Sequence, residues 1–139
     1  MKKKLKLNKK IFIPVSRPIV TKNDARKIYN VVKSGWISST GPDINLFENN
    51  LSKFVNRKYA CAVSSGTAAL EIAVKSLGLN KNDEIIMPSF TIISNAIAII
   101  KNFTKPVLID SDLDTWNIDI KKIEKKITKK TKAIMLPHI

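Results

Sequence analysis

The period of apolar positions changes once along this chain, near residue 58. Before that point the pattern is helical. The segment "IFIPVSRPIV" carries Pro14 and Pro18 and so disfavours helix. Thr21 and Asp24 then form a T-x-x-D capping box. Ala25, Ile28, Tyr29 and Val32 follow at helical spacing and predict a helix ending near Ser34-Gly35. "GWISSTGPD" reads as a loop. A second helix is predicted from about Pro42-Asp43, with Ile44, Phe47, Leu51 and Phe54 on one face.

Beyond residue 58, short apolar runs alternate with helical patterns. "YACAV" (Tyr59 to Val63) predicts a strand. Leu70, Ala73, Val74 and Leu77 mark one face of a helix that Gly78 ends. "EIIMP" predicts a strand closed by Pro88, residues 91–100 a largely buried helix, and "PVLID" another strand. Ile120, Ile123 and Ile127 predict a helix whose other faces are lysine, and "KAIML" a last strand stopped by Pro137. This alternation is the signature of an α/β fold with a parallel sheet. Ligands of such sheets bind at the carboxyl ends of the strands. That edge would gather Ser64 to Thr67, Ser89 and Phe90, Asp110 to Asp114 and His138. The sequence stops directly after a predicted strand, with no helix to cover it. It therefore reads as the front part of something longer.

Composition narrows the classes. The 139 residues are 44% hydrophobic, enough for a buried core and the usual size of one domain. The longest near-apolar run, Ala96 to Ile100, is too short to cross a bilayer. No apolar signal core follows the basic stretch over residues 1–12, which is expected to be a solvated tail. The single cysteine, Cys61, cannot pair within the chain, so a reducing cytoplasm is the expected compartment. Its place in an apolar run predicts a buried small hydrophobe. The formal charge of +14 raises nucleic acid as a partner. However, 22 of the 25 basic residues are Lys and only 3 are Arg, whereas base readout and phosphate forks favour Arg. The expectation is no nucleic-acid partner and no membrane.

Four features carry possible chemistry. In "SSGTAAL" (Ser64 to Leu70), Ser65, Gly66 and Thr67 sit where a strand hands over to a helix. Unpaired N–H groups and a partial positive charge there can receive a phosphate. An ordinary N-cap explains the same residues, and the pattern alone leaves both readings open. No Gly-Lys-Ser/Thr and no G-x-G-x-x-G follows, so neither a nucleoside triphosphate nor a dinucleotide is indicated. Phe90, just after a strand-ending proline, could lie against a flat ligand or serve the core. Asp110, Asp112 and Asp114 alternate, but the EF-hand pattern fails for want of its glycine and closing glutamate, and a polar turn is expected. His138 has no nucleophile in a recognisable context, so no triad is argued.

The segments "GWISSTGPDINLFENNLSKFV", "YACAVSSGTAALEIAVKSLGL", "DEIIMPSFTIISNAIAI", "PVLIDSDLDTWNID" and "TKAIMLPHI" resemble, in order, the first part of the DegT/DnrJ/EryC1/StrS aminotransferases. These are pyridoxal-phosphate enzymes that act on nucleotide-linked keto sugars. The "WISSTG" loop and "DSDLDTWNID" look most like the subgroup that makes perosamine on GDP. The resemblance implies an incomplete aspartate-aminotransferase-type (fold type I) large domain over residues 13–139. It implies that Gly66, Thr67 and Ala68 hold the cofactor phosphate through backbone amides, helped by the Ser65 or Thr67 hydroxyl. Phe90 would stack on the pyridine ring. Ser16 and the loop Gly35, Trp36, Ile37 and Ser38 would face the sugar nucleotide. A homodimer and glutamate as amino donor are implied for the intact enzyme.

Transamination needs a lysine that binds the cofactor covalently and moves protons, and a carboxylate near the pyridine nitrogen. In the family both lie beyond the residues matched here, and none of the 22 lysines stands in the family's lysine motif. The chain by itself is therefore expected not to transaminate. Two alternatives stay open. One is a degenerate, non-catalytic piece or the interaction half of a split enzyme. The other is a sugar dehydratase, since some members carry histidine in place of the lysine.

Overall fold

The computed structural model describes residues 13–138, so the basic tail expected over residues 1–12 lies outside the described residues. The chain divides into two compact units between Ala60 and Cys61.

In the first unit, residues 13–20 take no helix or strand, as Pro14 and Pro18 require. Helix α1 spans Lys22–Ser34 and its predicted capping box is formed. The Asp24 N–H donates to Thr21 Oγ1 at 3.2 Å, and the Thr21 N–H donates to Asp24 Oδ2 at 2.8 Å. Gly35 stops the helix in the left-handed region, at φ 80°, with its N–H on the Val32 carbonyl at 3.1 Å. A side chain at that φ is strained, which is why glycine suits the position. Helix α2 spans Pro42–Phe54, with Pro42 in the first turn where no N–H is missed. The helical period was legible, but the apolar face of α1 carries no buried residue, and Ile28, Tyr29 and Val32 are more than half exposed.

The second unit holds α3 (Gly66–Ser76), β1 (Glu84–Pro88), α4 (Ile93–Lys101), β2 (Lys105–Ile109), α5 (Ile120–Ile123) and β3 (Thr131–Ile134). The three strands form one parallel sheet in the order β2-β1-β3. Glu84 faces Lys105 and Pro88 faces Ile109 across β1 and β2. On the other side Ile85 faces Ala133 and Ile86 faces Ile134, with a register shift between Glu84 and Ile85. The ladder runs one residue past β3, where the Met135 N–H donates to the Ile86 carbonyl at 2.8 Å.

The central strand β1 is buried along its whole length, as a near-continuous apolar run should be in a parallel sheet. Ile85 and Met87 point to one face and pack with Val74 of α3 and Ala98 and Ile99 of α4. Burial of side chains this large stabilises the unit by about 1.5–3 kcal/mol each. Polar contacts lock the two helices together. Lys101 Nζ lies 2.7 Å from Glu71 Oε1. The Asn102 amide donates to the Glu71 and Ala98 carbonyls at 3.1 and 2.8 Å.

Three expectations need correction. Tyr59 to Val63 forms no strand, and none of the three strands pairs with it. An apolar run becomes a strand only when a neighbour supplies the ladder, and among the described residues β1 already has a partner on each side. Cys61 is accordingly exposed rather than buried. The helix expected over Ile120, Ile123 and Ile127 is one turn of α5 followed by a 3₁₀ turn over Glu124–Lys126, and Ile127 is extended. Short helices owe their stability to burial, and this one buries nothing.

Candidate functional site

The first turn of α3 begins at Ser65, whose extended backbone makes it the N-cap. Ser65 Oγ accepts the Ala68 N–H at 3.2 Å, and the Ser65 carbonyl accepts the Ala69 N–H at 3.0 Å. The cap reading of "SSGTAAL" is therefore real, and it occupies the Ala68 amide. It does not use the amides of Gly66 and Thr67, which have no intrahelical acceptor and no partner among the described residues. A Cβ built on Gly66 would meet nothing within 4 Å. The fold does not need glycine there for its own packing, so the open space is available to a ligand. No acidic side chain occupies this first turn. Two unspent N–H groups, the positive end of the helix dipole and a clear approach fit a phosphate.

Thr67 fixes where this turn sits. Its Oγ1 lies 3.0 Å from Ser94 Oγ. Ser94 is in the first turn of α4, which follows the carboxyl end of β1 after only residues 89–92. The N-termini of α3 and α4 thus meet at the carboxyl edge of the sheet, although the strand expected to deliver α3 is absent. The Thr67 hydroxyl is engaged in this tie, which leaves its backbone N–H as the group offered outward. Ser94 escaped the sequence reading. Its only sequence signal was a hydroxyl in the turn after "PSFT", which by itself reads as an ordinary helix start.

Phe90 stands at the same edge. The Ser89 N–H donates to the Ile109 carbonyl at 2.8 Å and extends the β1–β2 ladder up to it. The Phe90 ring is half-exposed and leans on Trp116, with ring centroids 5.4 Å apart and planes tilted by 58°. Both rings line a cleft of about 160 Å³ with Ser89, Asp110, Ser111 and Asp112. Ser111 Oγ is buried beside it without a hydrogen-bond partner.

The alternating aspartates make the expected polar turn. Asp112 Oδ1 accepts the N–H of Asp114 at 3.2 Å, the N–H of Thr115 at 2.9 Å and the Thr115 hydroxyl at 3.0 Å. Those bonds, chiefly from Thr115, hold the Asp112 carboxyl below its ordinary pKa. Asp110 is lowered likewise, first by the Ser111 N–H and then by Lys122. Lys122, 3.2 Å from Asp119 and 3.4 Å from Asp110, is raised by those two partners, Asp119 first. The Asp110 and Asp112 carboxylates are thus committed to the loop. Among the described residues no group of three acidic, Cys or His side chains is arranged to hold a metal ion.

The residues expected to face a sugar nucleotide belong to the first unit. Ser16 is exposed and outside any helix or strand. The Gly35 to Ser38 loop turns sharply, with the Ile37 N–H on the Gly35 carbonyl at 3.0 Å. Trp36 packs closely on Gly41, where an added Cβ would lie 3.4 Å from the Trp36 Cβ. Trp36 also borders an open groove of about 740 Å³ shared by α1 and α2, with Lys27, Val31, Leu46 and Phe47. Ser38 makes only long contacts, 3.5 Å to Thr40. His138 is exposed. No helix among the described residues is long and apolar enough to cross a membrane.

Comparison with known proteins identifies the family. The profile of the DegT/DnrJ/EryC1/StrS aminotransferase family matches residues 18–139. A GDP-perosamine synthase of Escherichia coli O157:H7 is 41% identical over 128 residues, covering 92% of this chain and 35% of the relative. The spore coat polysaccharide biosynthesis protein SpsC of Bacillus subtilis is 39% identical, covering 91% of this chain and 32% of its own length. Among solved structures, the GDP-4-keto-6-deoxy-D-mannose-3-dehydratase of E. coli with bound hydrated pyridoxal phosphate superposes with a TM-score of 0.80 at 27% identity. It covers 91% of this chain and 34% of that one. The chain thus spans about a third of the length of the relatives it matches. The small parallel sheet with its helices is the corresponding part of a fold type I large domain, and pyridoxal phosphate is the cofactor of these proteins. The motif order, the sheet and the coverage agree, and the chain belongs to the DegT/DnrJ/EryC1/StrS aminotransferase family.

Proposed function

We propose that this chain is the N-terminal portion of a pyridoxal-phosphate-dependent aminotransferase acting on a nucleotide-linked 4-keto-6-deoxy sugar, of the GDP-perosamine synthase kind. The observation that carries this reading is the first turn of α3. In a chain of this family, it offers the Gly66 and Thr67 amides, unspent and sterically open, beside the carboxyl end of β1. When bound, pyridoxal phosphate supplies the electron sink for chemistry at the carbon bearing nitrogen. The residues of this chain bind and orient. Gly66 and Thr67 hold the phosphate by backbone N–H groups, and Ser65 keeps the helix start rigid by capping Ala68. Phe90 supplies a flat apolar surface for the pyridine ring. Ser16 and Gly35 to Ser38, including Trp36 and Ile37, face the sugar nucleotide. Glutamate as the amino donor, a homodimer and a cytoplasmic setting complete the proposal for the whole protein.

These 139 residues on their own provide the phosphate seat but no lysine for the cofactor, and they do not transaminate. Titration of the purified chain with pyridoxal phosphate, followed by borohydride reduction and peptide mapping, tests both halves. The expected result is saturable, phosphate-dependent binding without reduction concentrated at one lysine and without turnover of a keto-sugar nucleotide plus glutamate. One reduced lysine together with turnover would overturn the inactivity. Absence of binding that competes with inorganic phosphate would overturn the seat. A second reading, a sugar 3-dehydratase, is favoured by the likeness to the E. coli dehydratase. Product analysis with the whole protein separates them, since one yields an amino sugar and the other loses water from the same keto sugar.

A further inference from the structure

We infer that Trp116 is a positioning residue that holds the Phe90 ring at the angle from which it meets the cofactor. The role of Phe90 toward the cofactor rests on the function proposed above. Phe90 lies in the short turn between β1 and α4, and its ring is half-exposed. An exposed aromatic on a turn has several rotamers open to it. Trp116 removes that freedom from one side. Its indole lies 5.4 Å from the Phe90 ring at a tilt of 58°, within the favoured range for edge-to-face pairs.

The loop after β2 is built to deliver this indole. Trp116 has a φ of 61°, which is unfavourable for a bulky side chain and marks an imposed conformation. The imposition comes from a closed set of bonds. The Trp116 N–H donates to the Asp112 carbonyl at 3.0 Å, and the Asp112 N–H donates to the Asn117 carbonyl at 2.8 Å. Asp112 Oδ1 gathers the Asp114 and Thr115 N–H groups, and Ser111 pairs with Ile118 as an isolated antiparallel bridge. Asp110 is tied by Lys122 to Asp119. The loop is thus pinned at its base and its turn, and its one large aromatic is turned onto Phe90. Trp116 is itself 58% exposed, so core burial does not account for its strained placement.

The test uses the full chain. With Phe90 isotopically labelled, three-bond couplings report its χ1 populations without any ligand. One rotamer is expected in the unmodified chain and in W116F, and averaged rotamers in W116A. W116L, which keeps apolar bulk, serves if W116A does not fold, and the amide spectrum of α3 and α4 checks folding. Affinity for pyridoxal phosphate is expected to fall about 2- to 10-fold in W116A and to fall no further when W116A is added to F90A. A single Phe90 rotamer in folded W116A or W116L overturns the inference. So does an equal loss of affinity in the F90A background. If F90A binds pyridoxal phosphate as tightly as the unmodified chain, the platform reading of Phe90 fails. The ligand-free couplings separate that failure from failure of the Trp116 contact.

Discussion

Replacing Gly66 with alanine sets two effects of opposite sign against each other. Within the folded chain the new methyl group meets nothing within 4 Å, and the backbone there is not left-handed. Helix stability should therefore stay level or rise, by up to about 1 kcal/mol for Gly→Ala. A phosphate in the first turn of α3 would meet that methyl and be pushed off the Gly66 N–H. A hydrogen bond to a charged group contributes about 1.5–3 kcal/mol, so affinity for pyridoxal phosphate should fall about 10- to 100-fold. Thermal unfolding followed by circular dichroism reads the first effect, and calorimetric titration with pyridoxal phosphate reads the second. Titration with pyridoxal, which lacks the phosphate, is the control and should be insensitive to the substitution. Equal affinity of G66A and the unmodified chain for pyridoxal phosphate would refute the phosphate seat. So would an equal loss for pyridoxal, because the methyl would then be acting on the ring or the fold.

Thr67→Val removes the hydroxyl that meets Ser94 at 3.0 Å, and should cost about 1 kcal/mol in urea unfolding. S94A should cost a similar amount, and the two together no more than either alone if they act through one bond. Met87→Ala, in the sheet core at 2% exposure, should cost about 2–5 kcal/mol; a loss below 1 kcal/mol by the same assay would mean that the core is not packed as described. The Asp112 carboxyl is held below its ordinary value of 3.8 by Thr115. Its stabilising contribution is therefore complete above that value and lost as pH falls through the lower folded value. Fluorescence of Trp116, read in a W36F background, should change on the acid side of 3.8, and D112N should remove the Asp112 share of that change while leaving the share of Asp110, whose carboxyl is also lowered.

Parts of this protein are legible because their causes are local. The Thr21 and Asp24 box, Gly35 at φ 80° and Pro42 in the first turn bound α1 and α2 to within a residue or two of the sequence reading. Each is a bond or a steric limit between neighbours in the chain. The apolar run of β1 and the cap at Ser65 are equally local. The motif order from "WISSTG" to "DSDLDTWNID" sufficed for the family, since several separate patterns had to coincide at the right spacing.

What needed the tertiary structure depends on partners distant in sequence. Tyr59 to Val63 has a strand's composition, but its ladder partner is not written in those five residues, and Cys61 is exposed with it. The isoleucines after Asp119 mark a helix that burial does not support beyond one turn. The tie from Thr67 to Ser94 spans 27 positions, and Phe90 meets Trp116 from a different loop. The sequence by itself determined the caps and the helix and strand tendencies, and at the start of α3 it left a plain cap and a phosphate seat both open. Only the tertiary structure decided which apolar runs pair, which hydroxyl is spent and which aromatic leans on Phe90. Those outcomes are set by contacts across the fold, and propensity along the chain carries no information about them.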